Sequence, residues 1–263
     1  MSPWQALDEE IARWRDAGRT ACLWWRDDDA AQPSPALDRL LSLQRSTGAP
    51  LALAVVPAKA GAALAQRLAG GADLDVLQHG YAHFNHASPT EKKIELGLQR
   101  PAMLVLGELG TGWLALERLF KGDNATPSGP RLLPVLVPPW NRIAPQLVPA
   151  LPDIGFTGIS TFGKRPRAQP VRGLVQVNTH LDLIDWQASR GFIGSELAVQ
   201  KLLASLTQSR IDSGEPVGVL SHHLAMDERA WDFLKLLLDK LISTPGTVVN
   251  PARSLFASRE ARV

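Results

Sequence analysis

Apolar positions along the chain alternate between helical and strand-like spacing. Residues 4–17 form an amphipathic helical stretch, and 20–26 (TACLWWR) then read as a strand. Ser34-Pro35 opens a helix through about residue 44, with serine as N-cap and proline in the first turn. Residues 51–56 form a second strand closed by Pro57, an Ala/Leu-rich helix follows to residue 69, and 74–78 are a third strand. The spacing predicts helix over 88–121, from a Ser-Pro-Thr-Glu cap signal, with a break at Arg100-Pro101. Residues 122–130 (GDNATPSGP) read as a loop. Strands are then expected at 135–137, 157–160, 174–177, 216–220 and 247–249, with helices near 145–151, 195–211 and 227–242.

This alternation predicts a parallel α/β fold: residues 1–263 as one domain, a distorted (β/α) barrel of about seven parallel strands. An open doubly wound sheet is the alternative. No glycine-rich dinucleotide or phosphate fingerprint follows any strand, which counts against the usual occupants of such sheets.

Composition changes the picture only by exclusion. A net charge of +2, from 28 basic and 26 acidic residues without a basic stripe, gives no reason to expect nucleic acid or an anionic membrane as partner. Cys22 stands alone, so neither a disulfide framework nor a cysteine-based zinc site is expected, and its apolar surroundings make it a small buried side chain. The first residues lack a basic segment followed by an apolar one, and no long apolar run follows, so a cytoplasmic protein without a transmembrane helix is expected. Oligomeric state is left open.

The chemistry collects where strands end. Asp27, Asp28 and Asp29 follow the first strand; His79 and His83 follow the third; Pro138-Pro139-Trp140-Asn141 follow the fourth. His180, Asp182 and Asp185 follow the 174–177 strand, and His222 and His223 the 216–220 strand. In a β/α barrel these ends share one rim, where catalytic groups converge. Three adjacent carboxylates repel one another unless a cation neutralises them, although a solvated N-cap cluster would also explain Asp29. His79 and His83, spaced H-x-x-x-H, would share one face of a helical turn, and with a carboxylate they would make a two-histidine, one-aspartate metal site with open positions.

In order, these segments resemble the polysaccharide deacetylases. Trp25-Arg26-Asp27-Asp28-Asp29 is similar to the family's Asp-Asp motif, and His79 to His83 to its H-S/T-x-x-H motif. Val137-Pro138-Pro139-Trp140 resembles the R-x-P-aromatic segment, Asp182-Leu183-Ile184-Asp185-Trp186 the D-x-x-D-W segment, and Leu220-Ser221-His222 the L-x-H motif. The resemblance implies a divalent metal, zinc or a similar ion, on Asp28, His79 and His83, with Asp27 as general base. The triplet admits a second register, with Asp29 as ligand and Asp28 as base. His222 would be the general acid, with His223 as the alternative, supported by Asp182 or Asp185, and the Trp140 backbone N–H would hold the oxyanion. Tyr81, Pro139, Trp186 and His223 are candidate substrate contacts; His86 and His180 belong to the surroundings. Two departures stand out. The family arginine of the third motif, which orients the base, is replaced by Val137 or Pro138, with Arg26 or Arg142 as candidate substitutes, and Gly80 stands where a hydroxyl residue is usual.

The implied activity is metal-dependent removal of an N-acetyl or other N-acyl group from a carbohydrate. Hydrolysis of a small cytosolic amide or ureide is the second reading. A non-catalytic carbohydrate- or metal-binding relative is the third, suggested by the missing arginine.

Overall fold

The molecule, seen in a computed structural model, is described over residues 1–121, 129–212 and 214–257. The expected 122–130 loop therefore lies almost wholly outside the described residues. Seven α-helices occur among these residues. Helix α1 (Pro3–Asp16) begins with a capping box, the Ser2 side chain accepting the Gln5 N–H while the Gln5 side chain accepts the Ser2 N–H. Helix α2 (Pro35–Thr47) runs from a Ser34 cap to Gly48, whose φ of 68° lets the chain leave the helix. Then come α3 (Ala62–Leu68), α4 (Ala102–Phe120), α5 (Ser195–Ile211), α6 (Glu228–Ser243), capped by Asp227, and the short α7 (Ala252–Leu255).

Among the described residues nine strands form one sheet, all paired parallel: β1 (Ala21–Ala30), β2 (Leu51–Val55), β3 (Leu74–His79), β4 (Arg131–Val137), β5 (Gly158–Ile159), β6 (Val175–Gln176), β7 (Thr179–Asp182), β8 (Val217–Ser221) and β9 (Thr247–Val249). The order is β6-β5-β4-β3-β2-β1-β8-β7, with β9 beside β1. A bridge between Phe162 and Thr179, with Thr179 donating to the Thr161 carbonyl at 3.1 Å, joins the chain just past β5 to β7. The sheet thus curls into the expected distorted (β/α) barrel.

Central strands β2, β3 and β8 are buried throughout, as parallel strands covered on both faces must be. Along β1, Leu23 and Trp25 join the core beneath the helices, with Leu51, Leu53, Leu202 and Leu237. Trp24 instead joins the barrel interior, with Ala52, Ala54, Val135, Val137 and Phe256. Its indole donates to the Asn178 carbonyl at 3.0 Å and meets the Phe256 ring edge-on at 6.0 Å. The alternation of β1 decides which of its polar residues enter the barrel.

Four expectations change. The 88–100 stretch is not helical: Ser88 and Glu91 close a local turn, and helix starts only at Ala102, after Pro101. The cap signal acted locally without propagating, because no apolar stripe followed it. Strand β1 runs through the aspartate triplet instead of ending before it. An unexpected strand, β7, carries His180 and Asp182. Cys22 is half-buried. Among the described residues no helix is long and apolar enough to cross a membrane.

A Cβ at Gly218 would lie 2.5 Å from the Trp24 indole nitrogen and 2.7 Å from the Thr179 backbone. Gly218→Ala is therefore predicted to lower unfolding free energy by about 2 kcal/mol, read from chemical denaturation midpoints.

Candidate metal and active site

The triplet at the end of β1 divides three ways. Asp28 follows Trp24 and Arg26 at the period of two, and Arg26 is fully buried. Arg26 meets Asp28 at two points, Nε to Oδ1 at 2.8 Å and Nη2 to Oδ2 at 3.0 Å. Two of its other N–H groups donate to Ser160 Oγ at 2.6 Å and Asn141 Oδ1 at 2.7 Å. Asp27, on the other face, accepts from the Ser221 hydroxyl at 2.6 Å and the His223 backbone N–H at 3.0 Å, and lies 2.5 Å from His223 Nδ1. Strict alternation would send Asp29 the same way. The β1–β2 register instead slips between Asp27 and Ala30, and Asp29 takes a left-handed φ of 74°. Aspartate tolerates that region better than most side chains.

Redirected in this way, Asp29 Oδ1 lies 3.2 Å from His79 Nε2 and 3.1 Å from His83 Nε2, with Oδ2 3.3 Å from His222 Nδ1. Burial works against its ionisation, yet hydrogen bonds from His222, His79 and His83 hold this carboxyl well below the usual carboxylate range. His79 ends β3 with Nδ1 3.0 Å from the Val137 carbonyl. Burial disfavours its charge, but contact with Asp29 raises its pKa overall.

His83 arrives by a loop and not by the helical turn expected from its spacing. Gly80 and His83 have φ of 56° and 55°, and the turn between them closes on one buried carboxylate. Glu95 accepts backbone N–H groups from Tyr81 at 3.1 Å, Ala82 at 2.8 Å and Phe84 at 3.3 Å. A Cβ at residue 80 would lie 2.0 Å from Glu95 Oε2 and 2.5 Å from Pro139, so glycine at this position makes room for the clamp.

The two adjacent histidines separate cleanly. His222 sits between Asp29 and Asp182, with Nε2 3.6 Å from Asp182 Oδ2, buried and without a hydrogen-bond partner. Burial opposes its charge, but Asp182 and Asp29 push its pKa up to about 10. Trp186 covers it edge-on at 4.9 Å and donates its indole N–H to Asp182 at 2.9 Å. His223 points to Asp27, which raises its pKa against the opposing effect of burial.

A cavity of about 840 Å³ opens over these groups, lined by Asp28, Asp29, His79, His83, Trp140, Asn141, Asp182, Trp186 and His222 among others. The Trp140 ring packs on His83 at 4.4 Å. Asp27, Tyr81, Pro139 and His223 do not line this cavity; Asp27 and His223 pair on the other face of β1, and Pro139 is buried against Gly80. Asp185 reaches the rim but spends Oδ1 on the backbone N–H groups of Gln187 and Ala188. His180 is the extra residue where β7 slips against β8, and it faces Glu215. His86 lies against Phe84, outside the cavity. Of the two candidate replacements for the family arginine, Arg26 reaches Asp28, whereas Arg142 donates to the Lys93 carbonyl. Glu95, Asn141 and Ser160 escaped sequence reasoning as functional residues.

Asp29, His79 and His83 offer ligand atoms within 4.8 Å of one another. Tetrahedral coordination at about 2.0–2.1 Å needs donors about 3.3 Å apart, close to the spacings seen. The Val137 carbonyl holds the proton on His79 Nδ1, so Nε2, which faces Asp29, is the ring atom that would turn its lone pair to a cation. The donor set therefore fits a divalent cation in the second of the two registers the triplet admits, with Asp29 and not Asp28 beside the two histidines. Asp28 does not join it because its carboxylate is committed to Arg26.

No family profile matches the sequence, and no curated protein matches it. Solved structures do superpose along most of the chain. A Mycobacterium smegmatis protein assigned to the polysaccharide deacetylases matches with a TM-score of 0.69 at 16% identity, over 93% of this chain and 92% of its own. The fold is that of the polysaccharide deacetylases. A family 4 carbohydrate esterase from Streptomyces lividans, solved with acetate, gives 0.52 at 16% identity over 88% and 93% of the two chains. A family 4 pseudoenzyme from Bacillus anthracis gives 0.55 at 13% over 90% and 66%. The polysaccharide deacetylase fold thus accommodates both a carbohydrate esterase and a pseudoenzyme, so this chain's activity must be argued from its own side chains.

Because Glu95 shapes the loop that delivers His83, Glu95→Gln, which puts a donor against backbone N–H groups, should weaken binding of an added divalent cation roughly tenfold or more while the protein stays folded. Calorimetric titration beside a thermal melt reads both.

Proposed function

We propose that this protein is a metal-dependent hydrolase that removes an N-acetyl group from a carbohydrate. The observation that carries the reading is the division of labour around Asp29: two imidazole nitrogens converge on one carboxylate oxygen, and a third histidine backed by Asp182 faces the other. Asp29, His79 and His83 hold the cation, most simply zinc, which when bound polarises the amide carbonyl and acidifies water.

Asp28 is the base, receiving a proton from the attacking water on its carboxylate. Arg26 fixes the plane of that carboxylate from the same strand, as the family's third-motif arginine does from another. The Trp140 backbone N–H donates to the developing oxyanion from a turn held in the left-handed region. His222 gives the proton on Nε2 to the departing amine; that atom is buried and unpartnered, a position a substrate atom satisfies. Asp182 and Trp186 orient the ring. Trp186 and Phe162, 47% and 44% exposed at the cavity, provide apolar faces against which a sugar ring can stack.

Likeness to a pseudoenzyme makes a non-catalytic role the reading to test against. Asp29→Ala should abolish stoichiometric zinc binding. Asp28→Asn should keep the metal and lose acetate release from N-acetylglucosamine oligomers by about 100-fold or more. Chelation should stop the parent protein, and zinc should restore it. Normal turnover by Asp28→Asn would remove Asp28 from the base role, and absence of turnover from every acetylated sugar or small amide by the zinc-loaded parent would sink the hydrolase reading.

A further inference from the structure

Charge at the mouth of the cavity is distributed unevenly. The carboxylates lining it are all committed inside the protein: Asp28 to Arg26, Asp29 to histidines, Asp182 to the Ile184 N–H and the Trp186 indole, Asp185 to the backbone of its own loop. Four basic side chains also line it, Lys93, Arg142, Arg190 and Lys201, and among the described residues none of them makes an ion pair. Arg142 and Lys93 are neighbours, joined by the 2.8 Å bond from Arg142 Nη1 to the Lys93 carbonyl. Arg190 and Lys201 both belong to the surroundings of Asp185: the Arg190 N–H donates to its carbonyl at 2.7 Å, and Lys201 acts on its carboxylate through space. With a net charge of only +2 for the whole chain, this concentration is local.

A neutral acetylated sugar would leave these four cations idle at the entrance. An anionic group would find four cationic side chains lining one cavity, beside aromatic faces, while the carboxylates there are engaged by donors of the protein itself. We infer that the substrate is an N-acylated amino sugar that also carries an oxyanion, a phosphate or a carboxylate, held by Lys93, Arg142, Arg190 and Lys201. The inference rests on the hydrolase reading above and deepens it by naming the substrate class.

The test separates the two. Zinc-loaded Asp28→Asn protein is titrated with di-N-acetylchitobiose, N-acetylglucosamine 6-phosphate and N-acetylmuramic acid, and acetate release from the same three is measured with the parent. At least one anionic probe should bind about tenfold tighter than the neutral one at low ionic strength, and added salt should narrow the gap. Adding Arg190→Gln and Lys201→Gln, or Lys93→Gln and Arg142→Gln, should bring the ratio of anionic to neutral affinity toward one. Preference for the phosphate or the carboxylate probe identifies the oxyanion. Equal affinity for all three probes, or a ratio that both double variants leave unchanged, overturns the inference, even where acetate is released. Tighter binding of an anionic probe without acetate release supports the inferred site and refutes only the hydrolase reading.

Discussion

Three consecutive carboxylates on one strand inside a barrel are not tolerated as a group, and the site is the arrangement that neutralises them one at a time. At interior dielectric, adjacent negative charges cost several kcal/mol unless each finds a cation or strong donors. Asp27 finds Ser221 and His223 on the helix side of the sheet, Asp28 finds Arg26 in the interior, and Asp29 finds His79, His83 and His222. The first solution is complete within the protein, and the second leaves Asp28 Oδ1 without a hydrogen bond among the described residues. The third gathers imidazole nitrogens around one carboxylate, and a divalent cation satisfies that set more fully than protons do.

Getting the third carboxylate there needs backbone geometry that regular elements do not supply. Among the described residues, Asp29, His83, Trp140, Asn141 and Arg190 are non-glycine residues in the left-handed region, and all five line the cavity; Asp73 is the other such residue. Conformations of this kind cost about 1–3 kcal/mol each when the side chain is neither Asn nor Asp, so contacts elsewhere must fix them. Glu95 fixes the His83 loop with three backbone hydrogen bonds, and Asn141 fixes its own turn by accepting from Arg26 and donating its N–H to the Pro138 carbonyl at 2.8 Å. The strain gathers around the cavity.

This also explains which parts could be read from the sequence. Strand-helix alternation and the placement of acidic and histidine residues at strand ends follow from apolar periodicity, which burial enforces along whole elements. The register within Asp27 to Asp29 was not legible, because one residue with φ of 74° breaks the alternation on which such a reading depends. Nor could the choice between His222 and His223 be read, since it turns on which face of the adjacent β1 supplies the partner carboxylate. Asp182 and Asp185 were equivalent by composition; a loop that consumes Asp185 in its own turn separates them. Glu95 carried no signal at all. It sat in a stretch read as helix, and its role exists only once the chain folds back to residues 81–84.

Arg26 shows how a charge can be supplied to Asp28 from within its own strand. A guanidinium beside Asp28 needs a rigid origin, partners for its remaining N–H groups and an approach within the plane of the carboxylate. Arg26 lies two residues before Asp28 on the same face of the same strand, and Ser160 and Asn141 accept two of its other N–H groups. Arg142 begins one residue beyond a strained turn and is already used by the Lys93 carbonyl. With both members of the pair on β1, the geometry of the proposed base no longer depends on how the loop after β4 settles. That loop needs only to present Asn141 to Arg26. Val137 is thereby free to pack inside the barrel with Trp24 and Ala54, where an arginine would have brought a second buried charge.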